Sequence, residues 1–324
     1  MPKSETSLDD LLREIRRIEE HREVLTEKKI RKIYKQLTKE LNAFVAETYT
    51  KYADENGALT VADLQRKSKL AWYLEEIEKN CNKYLPGASD EIKDLVKKTR
   101  EKCYNGMAEA VENSYDLSAL NVRPEVMTAA MQNEVDKLIL PSALERNRQE
   151  AIYQIKQVIN IGLMTGARYE TMSRQIMDRV DVSYKKAITT ARTETHRNIE
   201  GGFMDCAENL SRGLEGSGYI YSATWRNMGD ERVRPQTRYK TKKGWKSGKS
   251  KNGADHVKME GQTVKVGEMF RFSDGVKTKC PGESGYARHD CNCRCFLEYN
   301  LLTVEEFAEA TGQTPEKVRE KYGM

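Results

Sequence analysis

Four of the seven cysteines, Cys280, Cys291, Cys293 and Cys295, fall within sixteen residues, with His289 among them and His256 upstream. Thiolate and imidazole are the ligands zinc prefers, and a small glycine-rich region with few apolar residues gains from a metal that holds its loops. The spacing is Cys-x-Cys-x-Cys rather than paired Cys-x-x-Cys knuckles. In a strand, Cys291, Cys293 and Cys295 would point to one face, a pattern that suits ligands or plain burial equally. The zinc reading takes His256, Cys293, Cys295 and Cys280, with Cys291 as the alternative to Cys280. Buried structural thiols and a redox or intermolecular disulfide are the competing readings, and no cofactor other than zinc is suggested.

Two short segments concentrate charge of another kind: Arg192 and Glu194 in ARTETHR, and Asp230, Arg232 and Arg234 in GDERVRP. Arginine forks pair bidentately with carboxylates, so these residues are expected to form structural ion pairs that lock a long helix onto the C-terminal region. A catalytic reading would use Glu194 or Asp230 as general base with His196 or His256 as partner. No nucleophile elbow, phosphate loop or H-E-x-x-H helix accompanies them, so the chain is not expected to be an enzyme.

Between Gln236 and Gly253 lie Arg238, Lys240, Lys242, Lys243, Lys246, Lys249 and Lys251 with no acid among them. That segment carries more positive charge than the +5 of the whole chain, so the remainder is slightly negative. Interleaved with Tyr239 and Trp245, it reads as a mobile arm that contacts nucleic-acid phosphates or as a solvated surface loop.

The elements that must position these groups change character near residue 210. Only seven of the 21 glycines precede it. Upstream, apolar residues recur at helical spacing, as in Ile30, Ile33, Leu37, Leu41, Phe44 and Val45. Helices are expected at 8–55, 61–84, 90–115, 123–139, 142–164, 168–180 and 183–212, punctuated by Pro86-Gly87, Pro124 and Pro141. Downstream, alternation in Tyr219–Trp225 and glycine-rich connections predict strands near 218–226, 263–266 and 294–299. Thr303 with Glu306, and Thr314 before Pro315, start two short terminal helices. The fold class is therefore a mainly α N-terminal part with long helices, followed by a small α+β C-terminal domain. The chain divides into a helical interaction region (1–154), a helix pair plus small α+β domain (155–300) and a short helical tail (301–324).

Composition bounds the setting. A charged fraction of 32% and a mean hydropathy of -0.77 describe a well-solvated chain without a membrane segment. Acids in MPKSETSLDD stand where a secretory signal needs an apolar run, so the expected compartment is a cytoplasm with reduced cysteines.

Taken in order, Ala191-Arg192-Thr193-Glu194, Trp225, Asp230-Glu231-Arg232-Val233-Arg234, His256 followed at five residues by Gly261, Phe270, and Asn292-Cys293-Arg294-Cys295 resemble the Mu F-like minor head proteins of tailed bacteriophages. The resemblance covers about residues 155–300. In that family the histidine usually follows the D-x-R-V-R element within a few residues, where this chain has Thr237, so the basic segment reads as an insertion that displaces the histidine to His256. Cys280 and Cys291 lie outside the family's core motif. The resemblance implies a minor capsid protein of a phage or prophage, assembled in the bacterial host cytoplasm and carried in the virion interior. Its implied partners are the portal protein and capsid or scaffold proteins; phage DNA as a partner is expected from the charge of the basic segment and is not carried over from the family. Some relatives carry toxin domains after the cysteine motif, whereas 29 residues follow Cys295 here, room for two short helices. The alternative is a nucleic-acid-binding protein with a zinc-stabilised C-terminal domain.

Overall fold

The computed structural model describes residues 7–116, 140–229, 233–241, 244–249 and 253–324, with the backbone alone for Pro141 and residues 236–249. The chain forms two units. The helical unit comprises Arg22–Leu95 and Asp136–Ala191, and the C-terminal unit comprises Met1–His21, Val96–Val135 and Arg192–Met324. Among the described residues five helices come first: α1 (Leu8–Tyr52), α2 (Val61–Arg66), α3 (Leu70–Ser114), α4 (Leu140–Met164) and α5 (Tyr169–Gly213).

In the helical unit the apolar periodicity becomes a core. Ile30, Tyr34, Leu37, Leu41 and Val45 of α1 are buried, as are Tyr73, Ile77 and Cys81 of α3, Ile155, Ile159 and Leu163 of α4, and Met172, Ile176 and Val180 of α5. Phe44 stacks on Tyr73 at 5.4 Å between ring centroids. Thr60 and Asp63 form the reciprocal capping box that their spacing predicts.

Three helix boundaries differ from expectation. The helix expected over 61–84 breaks at Lys67–Lys69, where Ser68 takes a left-handed φ of 54°. Pro86 does not end a helix but lies inside α3. Buried Leu85, Ala88 and Ile92 carry the apolar stripe past it, and that packing outweighs a proline penalty of about 3 kcal/mol. The helices expected at 168–180 and 183–212 are one, because Ile176, Val180, Ala187 and Ile188 keep one buried stripe and no glycine or proline stands at the expected break. The helix expected at 123–139, with Pro124, lies outside the described residues.

In the C-terminal unit, β1 (Tyr219–Arg226) is the middle strand of an antiparallel sheet ordered β4-β1-β7, with β4 at Thr263–Lys265 and β7 at Phe296–Thr303. Alternation sorts its side chains. Tyr221, Ala223 and Trp225 join Leu297 and Tyr299 in a core shared with Met107 of α3 and Phe203 and Leu210 of α5. Ile220 points the other way, onto Val304, Phe307 and Val318 of the two terminal helices. Those helices, Val304–Thr311 and Pro315–Tyr322, begin at the N-caps Thr303 and Thr314 as expected. The basic segment is not an irregular arm. Its backbone forms an antiparallel ribbon of β2 (Gln236–Thr241) and β3 (Gly244–Lys249), pairing Tyr239 with Lys246. A fifth and sixth strand, Phe270–Arg271 and Lys277–Thr278, close a second short hairpin.

Close approach of α3 and α5 within this unit rests on Gly201 and Gly202. A Cβ at Gly202 would lie 2.7 Å from the Arg100 carbonyl oxygen, and one at Gly201 would strike the Arg100 guanidinium. Two mid-helix glycines that cost about 1 kcal/mol each in propensity are explained by that approach. Beside them sits a charge pair nearly out of water: Arg16 Nε lies 2.7 Å from Glu200 Oε1, with side-chain exposures of 11% and 0%. Arg16 also donates to the Leu297 carbonyl (2.8 Å), and Leu297 N donates to Glu200 Oε2 (3.1 Å), so α1, α5 and β7 meet at one point. The guanidinium carbon lies 4.8 Å from the Phe203 ring centroid and 5.2 Å from that of Phe296.

Removing one member of this pair strands the other in a dry site. Glu200→Gln is expected to cost about 3–5 kcal/mol and to lower the melting temperature by on the order of 10 °C. The double change Arg16→Met with Glu200→Leu is expected to recover most of that loss in the same thermal melt.

Candidate metal centre

The cysteines do not line a strand. A short helix, α6 (Ala287–Asp290), ends at Cys291, Asn292 takes a left-handed φ of 52°, and β7 begins only at Phe296. The reversal at Asn292 sends Cys291 away from Cys293 and Cys295. The Nδ1 or Nε2 of His256 and the sulfurs of Cys293 and Cys295 all lie within 4.8 Å of one another, and the three residues are buried. His256 Nδ1 is 3.3 Å from Cys295 Sγ and 3.6 Å from Cys293 Sγ. Neither Cys280 nor Cys291 belongs to this group. Cys280 is buried in the core beside Thr278, whose hydroxyl donates to its carbonyl, and burial pushes its thiol well above the ordinary range.

Backbone and side-chain bonds hold the group from three sides. Arg234 places His256, because the amides of His256 and Val257 both donate to its carbonyl (2.8 and 3.0 Å). The Arg234 guanidinium meets no carboxylate among the described residues; it donates to the carbonyls of His289 (3.0 Å) and Cys291. Behind His256, Nε2 faces His289 Nδ1 at 3.3 Å, and His289 Nε2 faces Asp274 Oδ2 at 2.9 Å. Phe272 stacks on His289 at 3.9 Å, and Trp225 stands edge-on to both Phe272 and His256.

The third side is α5. Thr193, His196, Arg197 and Glu200 recur at helical spacing, and each reaches the C-terminal segment. The Thr193 hydroxyl accepts from Asn292 N (3.2 Å), His196 interacts with the Cys293 thiol, and Arg197 Nε donates to the Gly282 carbonyl (2.6 Å). Arg197 also binds both oxygens of Glu194 (2.7 and 3.0 Å) and lies 3.6 Å from Asp290. Asp290 in turn accepts from Ser284 N, Ser284 Oγ and Gly285 N, fixing the loop before α6. Asp230 and Arg232, the partners expected for Glu194, lie outside the described residues. Glu194 is buried, which raises its carboxyl above the usual range despite Arg197. Arg192 is exposed on the same helix.

Of the basic residues, Arg238, Lys240, Lys246 and Lys249 fall on the ribbon's backbone, and Lys242, Lys243 and Lys251 lie outside the described residues. The sequence pattern assigns no structural role to Arg16, Thr193, Arg197, Asp274 or Glu200. The 193-196-197-200 spacing was the available signal, since a helix face of polar groups next to Gly201-Gly202 marks a docked rather than a solvated surface.

The electrostatics of the group follow from these contacts. The Cys293 thiol is held well below its ordinary range by hydrogen bonding from Cys295, against burial, with His196 and His256 adding to it. Cys295, donating to Cys293 and buried, moves up. His196 resists the burial that disfavours its charge because Cys293 faces it, and it moves up. Asp274 is opposed by burial but brought down to about 2 by His289, the Val276 amide and Arg288. A carboxylate depressed from 3.8 on folding contributes stability that is complete above about pH 4 and lost as the pH falls through about 2. Asp274→Asn should therefore flatten the stability of the protein between those two pH values, read from urea midpoints across an acid titration.

The family match spans these same residues. Residues 153–298 match the model of the Phage Mu protein F like protein family. The minor head protein GP7 of Bacillus phage SPP1 is 29% identical over 275 residues, covering 84% of this chain and 81% of that protein. An NAD(+)--arginine ADP-ribosyltransferase of Enterococcus faecalis is 25% identical over 255 residues, which is 76% of this chain but 46% of that protein. No solved structure matches the chain. With its long helices, its small antiparallel sheet and the Asn292–Cys295 turn docked on α5, the chain resembles the Phage Mu protein F like family over residues 153–298, and a phage minor head protein over most of its length.

Proposed function

We propose that the chain is a structural component of the phage head, joining the portal protein and capsid or scaffold subunits inside the procapsid while it assembles in the host cytoplasm. The observation that carries this reading is the breadth of the likeness to a minor head protein, which extends over 84% of the chain and well beyond the Mu F-like region. The helical unit supplies docking surface: Tyr153, Ile161 and Met164 of α4 are exposed at 60%, 53% and 78%. No described helix is long and apolar enough to cross a membrane.

The role is structural and not catalytic. Glu194, the strongest candidate base, is occupied by Arg197, which binds both of its oxygens, and His256 faces two thiols and a second histidine. The likeness to an ADP-ribosyltransferase spans less than half of that protein. The β2–β3 ribbon, whose segment holds seven cations and no acid, is the part that meets packaged DNA, by counterion release rather than by base contacts.

Two measurements test the reading. The chain should co-purify with portal protein in procapsids, at far fewer copies than the major capsid subunit; procapsids that lack it would contradict the assignment. Replacing Gln236–Gly253 by a short glycine-serine linker should remove most low-salt DNA binding, with fold and portal association intact. For each phosphate that the shortened protein no longer neutralises, the slope of log affinity on log salt should become shallower by about 0.9. Equal binding by both proteins would remove DNA from the set of partners.

A further inference from the structure

The His256, Cys293 and Cys295 group has three soft or borderline donors converging on one point, with no fourth within it among the described residues. Four is the number that structural zinc sites of this donor type use. The region beside the group holds a fourth candidate with an unmet need. His196 interacts with the Cys293 thiol, and its Nε2 is buried with no hydrogen-bond partner. A buried polar atom left unmatched costs roughly 1–3 kcal/mol, so an imidazole in that state beside a cluster of thiols and a second imidazole points to a group that would use the ring as a ligand.

We propose that His196, His256, Cys293 and Cys295 together bind one zinc ion, a Cys₂His₂ site in which Cys280 and Cys291 take no part. The donor set is the one zinc selects. His256 has the arrangement that metal-bound imidazoles show: one ring nitrogen faces the sulfurs while the other is backed by His289 and, through it, by the Asp274 carboxylate. Cys293 sits on the turn that Thr193 anchors, next to His196 on the same helix as Thr193, so the ion joins α5 to the start of β7. Arg234, Asn292 and Arg294 line a cleft that opens on His256 and the two cysteines and gives the ion an access path. Binding releases the thiol protons and leaves both sulfurs as thiolates, with the Trp225 indole N–H placed to donate to Cys295. The inference stands independently of the role in head assembly.

The test uses the full chain, expressed and purified without chelator. Elemental analysis should give about one zinc per chain. Cobalt exchanged into the same protein should show the visible bands of a tetrahedral ion and thiolate charge transfer of two sulfurs. His196→Ala should weaken zinc at least about 100-fold in competition with a chromogenic chelator. Because that variant removes a buried group and risks unfolding, His196→Cys is the second arm: it should retain one metal and shift the cobalt spectrum toward a three-thiolate site. Folded, metal-free protein with Cys293 and Cys295 as free thiols or as a disulfide would overturn the proposal. A cobalt spectrum identical in His196→Cys and the parent would overturn the choice of His196.

Discussion

A charged pair withdrawn from water fixes the C-terminal unit. Arg16 and Glu200 give up most of their hydration, and that cost is offset by two charge-assisted bonds between them, the Leu297 carbonyl and amide, and two aromatic faces, with Arg16 Nη1 alone left without a hydrogen bond. Such a pair contributes less to net stability than to uniqueness of docking. A slip of β7 by one residue would exchange the faces of Leu297 and Tyr299 and would take Leu297 away from both charges. The register of β7 on β1, and through it the position of the cysteine turn just before β7, depends on that match.

The same helix face continues N-terminally from Glu200. Arg197 reaches Gly282, His196 meets Cys293 and Thr193 holds Asn292, so one polar stripe on α5 engages the chain from residue 282 to residue 297. Gly201 and Gly202 perform the complementary task on the α3 side, where no side chain fits. A region with little apolar mass is thereby held by directional bonds, as expected of a small domain that has to be rigid without a large core of its own. It also explains why residues that look catalytic in the sequence are engaged in structural interactions.

Much of this was legible in the sequence. Apolar periodicity located the long helices, alternation located β1, and two capping pairs, Thr60 with Asp63 and Thr303 with Glu306, marked helix starts that the side chains in fact form. The cysteine-histidine cluster was visible as composition, and two of its cysteines with His256 do converge. What local pattern withheld was tertiary. Pro86 is overridden by the burial of its neighbours, and the turn at Asn292 breaks the strand that would have aligned Cys291 with Cys293. Arg16 and Glu200 are separated by 184 residues, and neither differs locally from a solvated helix charge. The pairing of β2 with β3 escaped notice because seven cations and three intervening glycines mask the weak alternation of a ribbon whose stability comes from its backbone bonds.

In the proposed role, the charged and nucleophilic residues of the Mu F-like region build a structural part of the head and perform no reaction. Glu194→Gln separates the two cases, because it keeps the shape of the side chain while removing the only property a general base needs. The decisive measurement is the yield of filled heads from cells in which this variant replaces the parent chain, taken at a temperature where the variant is folded. A structural role predicts the parental yield. Folded Glu194→Gln protein that enters procapsids and still gives no filled heads would contradict it.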